Sequence, residues 1–195
     1  MADLADLPRP SQLWKLLSPE RKQLAAEGFW RDENAGMEHA EAIAYIAQRI
    51  KFRAKSVVGL PVEKKARHLL ALPAISELIA ARLLVVYHLD QQRPMMGGFL
   101  DALGIAHENG LIADEDMAPP SEEKLHAAAR TLAAAYPADD VALYLTTLVW
   151  QDYDTWGALA DAPESKTGNG EKTGTGERGS GIPGPGSPIP DPGSR

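Results

Sequence analysis

Apolar residues between positions 43 and 57 fall at Ile43, Ile46, Ile50, Ala54 and Val57, the three- and four-residue spacing of one helical face. That spacing predicts one continuous helix over residues 37–56. The same rhythm returns elsewhere, interrupted by Pro, Gly and Ser, and no run alternates with the two-residue period of a strand. Further helices are predicted over 11–17, 18–32, 61–72, 74–90, 95–103, 121–136 and 138–159. Two begin on strong start signals. Ser18-Pro19-Glu20 combines a capping hydroxyl, a proline where a missing N–H costs nothing, and an acid at the positive helix end; Ser121-Glu122-Glu123 repeats the logic without the proline. Segment 74–90 is apolar nearly all round, so it should occupy the middle, packed with 138–156. The expected fold class is all-α, an irregular bundle of about seven or eight helices.

Two stretches share a layout. PVEKKARHLLALP followed by AISELIAARLLVVYHLD resembles PSEEKLHAAARTLAAAYP followed by ADDVALYLTTLVWQDYD. Each runs from a proline through a charged first turn to a shorter helix, a second region of proline and an apolar helix. This is either a helical-hairpin repeat or two unrelated hairpins of one bundle.

Composition divides the chain. Residues 162–195 hold 9 Gly and 6 Pro with almost no large apolar side chains. Such a segment buries too little apolar surface to offset the entropy of ordering it, so a disordered tail is expected after a single domain at 8–161. The absence of cysteine rules out disulfides, cysteine-ligated metal and thiol nucleophiles. The opening MADLADLPRPSQLW has no basic region and apolar run of a secretory signal, and 74–89 carries Glu77 and Arg82 and is short for a bilayer. The expectation is a cytoplasmic protein with no membrane partner.

Several fragments invite a chemical reading. FLDALGIAHENGLIADED, residues 99–116, has Gly110, Ile112 and Asp116 in calcium-loop register, yet the two first ligand positions fall on Ile105 and His107, which offer no hard oxygen. Its structural reading is stronger: Gly104 as a left-handed helix stop, Asn109-Gly110 as a tight turn, and Leu111-Ile112 returning to the core. Glu123-x-x-His126 has the spacing of a di-iron half-site but no second copy. His39 lies among Glu38 and Glu41, and His88 with Asp90 closes the most apolar helix, where a histidine commonly serves the negative helix end. An enzyme would have to assemble its site from His88, Asp90, His107 and Glu108. The GNGEKTG of the tail lacks the strand and helix of a phosphate loop. No metal or cofactor is expected.

Net charge is −7, but Arg49, Lys51, Arg53, Lys55, Lys64, Lys65 and Arg67 face one acid, Glu63, between positions 49 and 68. On a continuous helix, Tyr45, Gln48, Arg49, Phe52 and Lys55 would form an outer face mixing aromatics with cations, with Arg53 on its flank. Such a face buries against a second helix, docks a protein, or stacks bases between phosphate contacts. Trp150, Tyr153 and Trp156, at three-residue spacing, either close the core or offer a second aromatic patch. The reading is a non-enzymatic interaction or adaptor protein that binds another, acidic protein through Tyr45, Arg49, Phe52, Arg53, Lys55 and the Trp150–Tyr153–Trp156 series. A nucleic-acid-associated regulator using segment 49–68 is the alternative, and an enzyme comes third.

Overall fold

Ten α-helices account for most of residues 7–113 and 117–165, which are the residues that the computed structural model describes. In chain order they are α1 (Pro10–Leu16), α2 (Pro19–Arg31), α3 (Gly36–Ile50), α4 (Ala54–Val58), α5 (Val62–Leu70), α6 (Glu77–Gln91), α7 (Arg93–Leu103), α8 (Glu122–Ala135), α9 (Ala138–Gln151) and α10 (Tyr153–Trp156). Between α7 and α8 lies a two-residue antiparallel hairpin, β1 (His107–Glu108) and β2 (Leu111–Ile112). Two 3-10 turns, Gly157–Asp161 and Pro163–Ser165, follow α10. The fold class is all-α, as the periodicity predicts.

The expected start signals operate. Ser18 and Ser121 accept from the backbone N–H of Arg21 and Lys124, and Ser76 caps α6 in the same way. Two breaks raise the expected eight helices to ten. The run 37–56 stops at Ile50: Lys51 is left-handed at φ 55°, and the Phe52 N–H reaches back to the Ala47 carbonyl at 3.0 Å. Phe52 and Arg53 then run outside any helix into α4. The turn re-aims the chain so that Val57 is fully buried, and no glycine or proline announces it. The second break falls at Asp152, whose carboxylate accepts from the N–H groups of Asp154 and Thr155 and from the Thr155 hydroxyl at 2.6 Å.

Apolar faces gather into two cores. The first, within α1 to α6, centres on Phe29, Ile46, Leu69, Ile79 and Leu83; the second, from α7 to the 3-10 turns, on Met95, Phe99, Leu125, Leu132 and Leu145. Helix α6 touches α1, α2 and α3 on one side and α7 and α9 on the other, so the segment expected at the centre is there. Helix α9 is buried without interruption from Asp140 to Thr147 and sends Leu143 into the first core. The α2–α6 crossing is so close that a β-carbon on Gly28 would lie 2.7 Å from a methyl of Val86 and closer still to the Asp90 carboxylate. Two ion pairs pin elements that are distant in sequence: Arg82 of α6 donates to Asp32 at the end of α2 at 2.6 Å, and Arg21 of α2 forks onto Asp140 of α9.

Two further expectations need revision. Ala162 is fully buried, and Ser165 donates its hydroxyl to the Leu159 carbonyl while the Thr146 hydroxyl approaches the Ser165 carbonyl, so the packed domain extends through residue 165 rather than 161. The tail beyond it, residues 166–195, lies outside the described residues. In the echoed segments, α5 packs chiefly on α2 whereas α8 packs chiefly on α7, so the shared layout does not produce equivalent helical hairpins.

The break at Lys51 has a clean test. A non-glycine residue in the left-handed region costs roughly 1–2 kcal/mol, partly offset by the greater unfolded-state freedom of glycine. Lys51→Gly is therefore expected to stabilise the protein by about 0.5–1 kcal/mol in urea denaturation. A continuous helix through residue 51 would instead lose about 1 kcal/mol on the same substitution.

Candidate functional site

The break separates the expected basic–aromatic residues into two groups. Tyr45 and Arg49 remain on α3, where with Gln48 they form one wall of a shallow groove of about 260 Å3 opposite Leu72, Pro73 and Ala74. Tyr45 is 38% exposed and donates to Glu41 at 2.9 Å, which raises its phenol pKa from the ordinary value. Phe52, Arg53 and Lys55 lie past the left-handed turn and outside the groove, so the single helical face predicted from the wheel does not exist. All five side chains are nevertheless exposed, Phe52 at 59%. Among the described residues none of Arg49, Lys51, Arg53, Lys55 and Lys64 has an ion-pair partner. Lys65 differs: its ammonium sits 4.9 Å from the ring centre of Trp30, a cation–π contact that ties α5 to α2.

The aromatic series near the end of α9 does not form a patch. Trp150 is half-buried against the first core and donates its indole N–H to the Pro8 carbonyl at 2.9 Å, whereas Trp156 is 5% exposed in the second core beside Phe99. Tyr153, half-buried, packs against that second core. Asp152 breaks the helix that would have aligned them.

The histidines are largely structural. His39 stacks on Trp30 and meets Phe29 edge-on, its Nε2 bonded to the Phe29 carbonyl. His126 bonds the Ala158 carbonyl at 2.9 Å, joining α8 to the first 3-10 turn. His107 accepts from the Gly110 N–H at Nδ1, so its Nε2–H faces Asp101 at 3.1 Å. That ring packs on Gly97, where a β-carbon would approach it to 3.2 Å, and so seats the hairpin on α7. Asn109 and Gly110 take φ of 51° and 83°, the left-handed pair that a two-residue hairpin turn demands. Gly104 is left-handed as expected, and the Ile105 N–H closes the cap on Leu100. Leu111 and Ile112 do not return to the core, however; they stay 44% and 37% exposed. Asp90 is exposed and abuts Gly28, and Glu108 is exposed on the hairpin, so His88, Asp90, His107 and Glu108 do not converge. Among the described residues no group of three or more His, Asp or Glu is placed to hold a metal ion.

His88 departs from its expected role at a helix end. It is 3% exposed at the seam between the two cores, edge-on to both Tyr87 and Tyr144. The Thr147 hydroxyl donates its hydrogen to the Leu143 carbonyl at 2.7 Å. It can therefore only accept from His88 Nε2, 3.3 Å away, which places the proton on Nε2 and leaves Nδ1 as a lone-pair acceptor. That Nδ1 is buried with no partner among the described residues. Burial drives the His88 pKa from 6.5 down to about 3 and raises that of the Tyr144 phenol, so both groups are neutral at ordinary pH.

These side chains line a cavity of about 280 Å3 bounded by α6, α7 and α9. Its polar members are His88, Tyr144, Thr147 and Gln151; Val85, Leu89, Met96, Leu100, Leu148 and Trp156 supply apolar wall, and Gly110, Leu111 and Ile112 of the hairpin stand over it. Sequence reasoning passed over this site. The available signal was a pair of polar interruptions, His88 in one nearly all-apolar helix and Thr146-Thr147 in the other.

Comparison of the chain with protein-family models, with curated proteins and with solved structures finds no match. Among the described residues no helix is long and apolar enough to cross a membrane.

His88 also gives the fold an acid sensitivity. An unfolded chain protonates this ring near pH 6.5 while the folded one resists until about pH 3. The unfolded state binds more protons across that window, so stability is complete above it and falls as pH drops, by up to about 1.4 kcal/mol per unit. His88→Gln is expected to flatten the decline between about pH 6.5 and 5, where carboxylates are still mostly ionised. An identical slope in urea denaturation of both proteins would contradict the buried neutral ring.

Proposed function

We propose that the protein is a non-enzymatic interaction module of the cytoplasm that docks an acidic segment of another protein on the end of the fold built from α3, α4 and α5. The carrying observation is the set of exposed cations Arg49, Lys51, Arg53, Lys55 and Lys64, which have no carboxylate partner among the described residues of a chain whose net charge is −7. Folding satisfies the other strategic arginines internally: Arg21 pairs with Asp140 and Arg82 with Asp32. Cations left in water repel one another, and an acidic partner relieves that repulsion while speeding encounter. The neighbouring groove, with Leu72, Pro73 and Ala74 across from Tyr45, supplies the apolar contact that charge alone lacks.

Exposed Phe52 amid cations also suits a stacked nucleobase, so the decisive comparison includes both ligands. Fluorescence polarisation with a labelled Asp/Glu-rich peptide carrying spaced leucines is expected to show binding at low ionic strength. The triple variant Arg49→Glu, Arg53→Glu, Lys55→Glu should weaken it about tenfold or more, with little change in thermal stability because these side chains hold no internal partner. Equal binding by the variant, or none by the native protein, contradicts the reading. Tighter binding of a single-stranded oligonucleotide, with a steeper loss on adding salt, replaces it with the nucleic-acid alternative.

A further inference from the structure

The cavity between α6, α7 and α9 stands apart from the basic end of the molecule, and its chemistry is different. We infer that it is a binding site for a small, neutral, mainly apolar ring compound that carries one O–H or N–H group, such as a phenol. Three observations define that ligand. First, the volume of about 280 Å3 holds a single substituted ring, near the lower limit of cofactor and metabolite pockets. Second, no Asp, Glu, Lys or Arg lines it, so a charged ligand would be desolvated without a counter-charge. Third, the polar groups at the seam are incompletely used. The orientation of Thr147 fixes His88 with its Nε2–H on that hydroxyl and its Nδ1 sealed from the cavity, whereas the Tyr144 hydroxyl stays accessible and has no hydrogen-bond partner among the described residues.

A hydroxyl left without a protein partner on a side chain that is otherwise buried is unusual, because nearly all such groups find one. Thr146 and Thr147, on the same helix, show the ordinary solution: each donates to the carbonyl four residues back at 2.7 Å. Tyr144 has no such outlet. A phenol seated between Tyr144 and Trp156 would pair its O–H with the Tyr144 hydroxyl, which can accept as well as donate, while its ring replaces apolar contact. Leu111 and Ile112, exposed apolar residues on the hairpin over the cavity, give an apolar entrance. The inference is independent of the docking reading, which concerns other residues and a different class of ligand.

The test is calorimetry and NMR on the full-length protein with three probes of similar size: p-cresol, toluene and benzoate. The account expects p-cresol to bind, toluene to bind at least about tenfold more weakly for want of one hydrogen bond, and benzoate not to bind. In proton NMR spectra p-cresol should shift resonances of the cavity lining, and Tyr144→Phe should weaken p-cresol more than toluene. The Tyr144→Phe variant should lose the preference for p-cresol over toluene; if it does not fold, the affinity difference between the two probes on the native protein decides. Equal affinity of the native protein for p-cresol and toluene, preferential binding of benzoate, a p-cresol preference that Tyr144→Phe leaves unchanged, or no binding of any probe would each overturn the inference.

Discussion

Helix α6 is apolar on nearly every side and must be covered on every side, and the rest of the structure follows from that requirement. One helix layer cannot enclose it. Helices α1, α2 and α3 take one flank, and α7 with α9 takes the other, which is why two cores form rather than one. Helix α9 inherits the same constraint because it spans the two cores, so it too is buried all round from Asp140 to Thr147. Close approach then demands small residues at the crossings, and Gly28 answers where α2 meets α6. The Arg21–Asp140 fork joins the helices of the first core to α9 at the edge of this seam, as a partly buried pair whose value is orientation as much as stability.

The seam between the two cores is incompletely packed and leaves a cavity of about 280 Å3. Side chains from three helices meet there at different angles, and burial keeps the His88 ring neutral and raises the pKa of the Tyr144 phenol. The basic end arises from the opposite circumstance. Segment 49–58 touches the cores only at Ile50 and Val57, so its cations meet water rather than carboxylates. One sequence thus yields a dry neutral cavity and a wet charged surface, each from its position relative to α6.

What the sequence made legible follows the strength of the local signal. Helix class, the centrality of 74–90, the caps at Ser18 and Ser121, and the turns at Gly104 and Asn109-Gly110 all rest on chemistry confined to a few neighbouring residues. The break at Lys51 was illegible because nothing local demands it; a lysine takes the left-handed conformation so that Val57 can reach a core assembled from distant helices. The Trp150–Tyr153–Trp156 stripe dissolved for a local reason instead, since Asp152 ends the helix with its own carboxylate. The basic residues were legible as charge but not as geometry. The cavity was hidden because its lining comes from α6, α7, the hairpin and α9, and only tertiary structure brings His88 to Thr147.

The central claim is that α6 and α9 form one shared spine, so that the two cores unfold together. Native-state amide hydrogen exchange measures this directly. The account predicts that amides of α6 and α9, in the stretches 79–88 and 141–149, exchange only through global unfolding, with the same free energy and the same denaturant dependence. Exchange of α7, α8 and α9 through an opening of lower free energy that leaves α6 protected would contradict it, for the second core would then be an independent unit resting on the first.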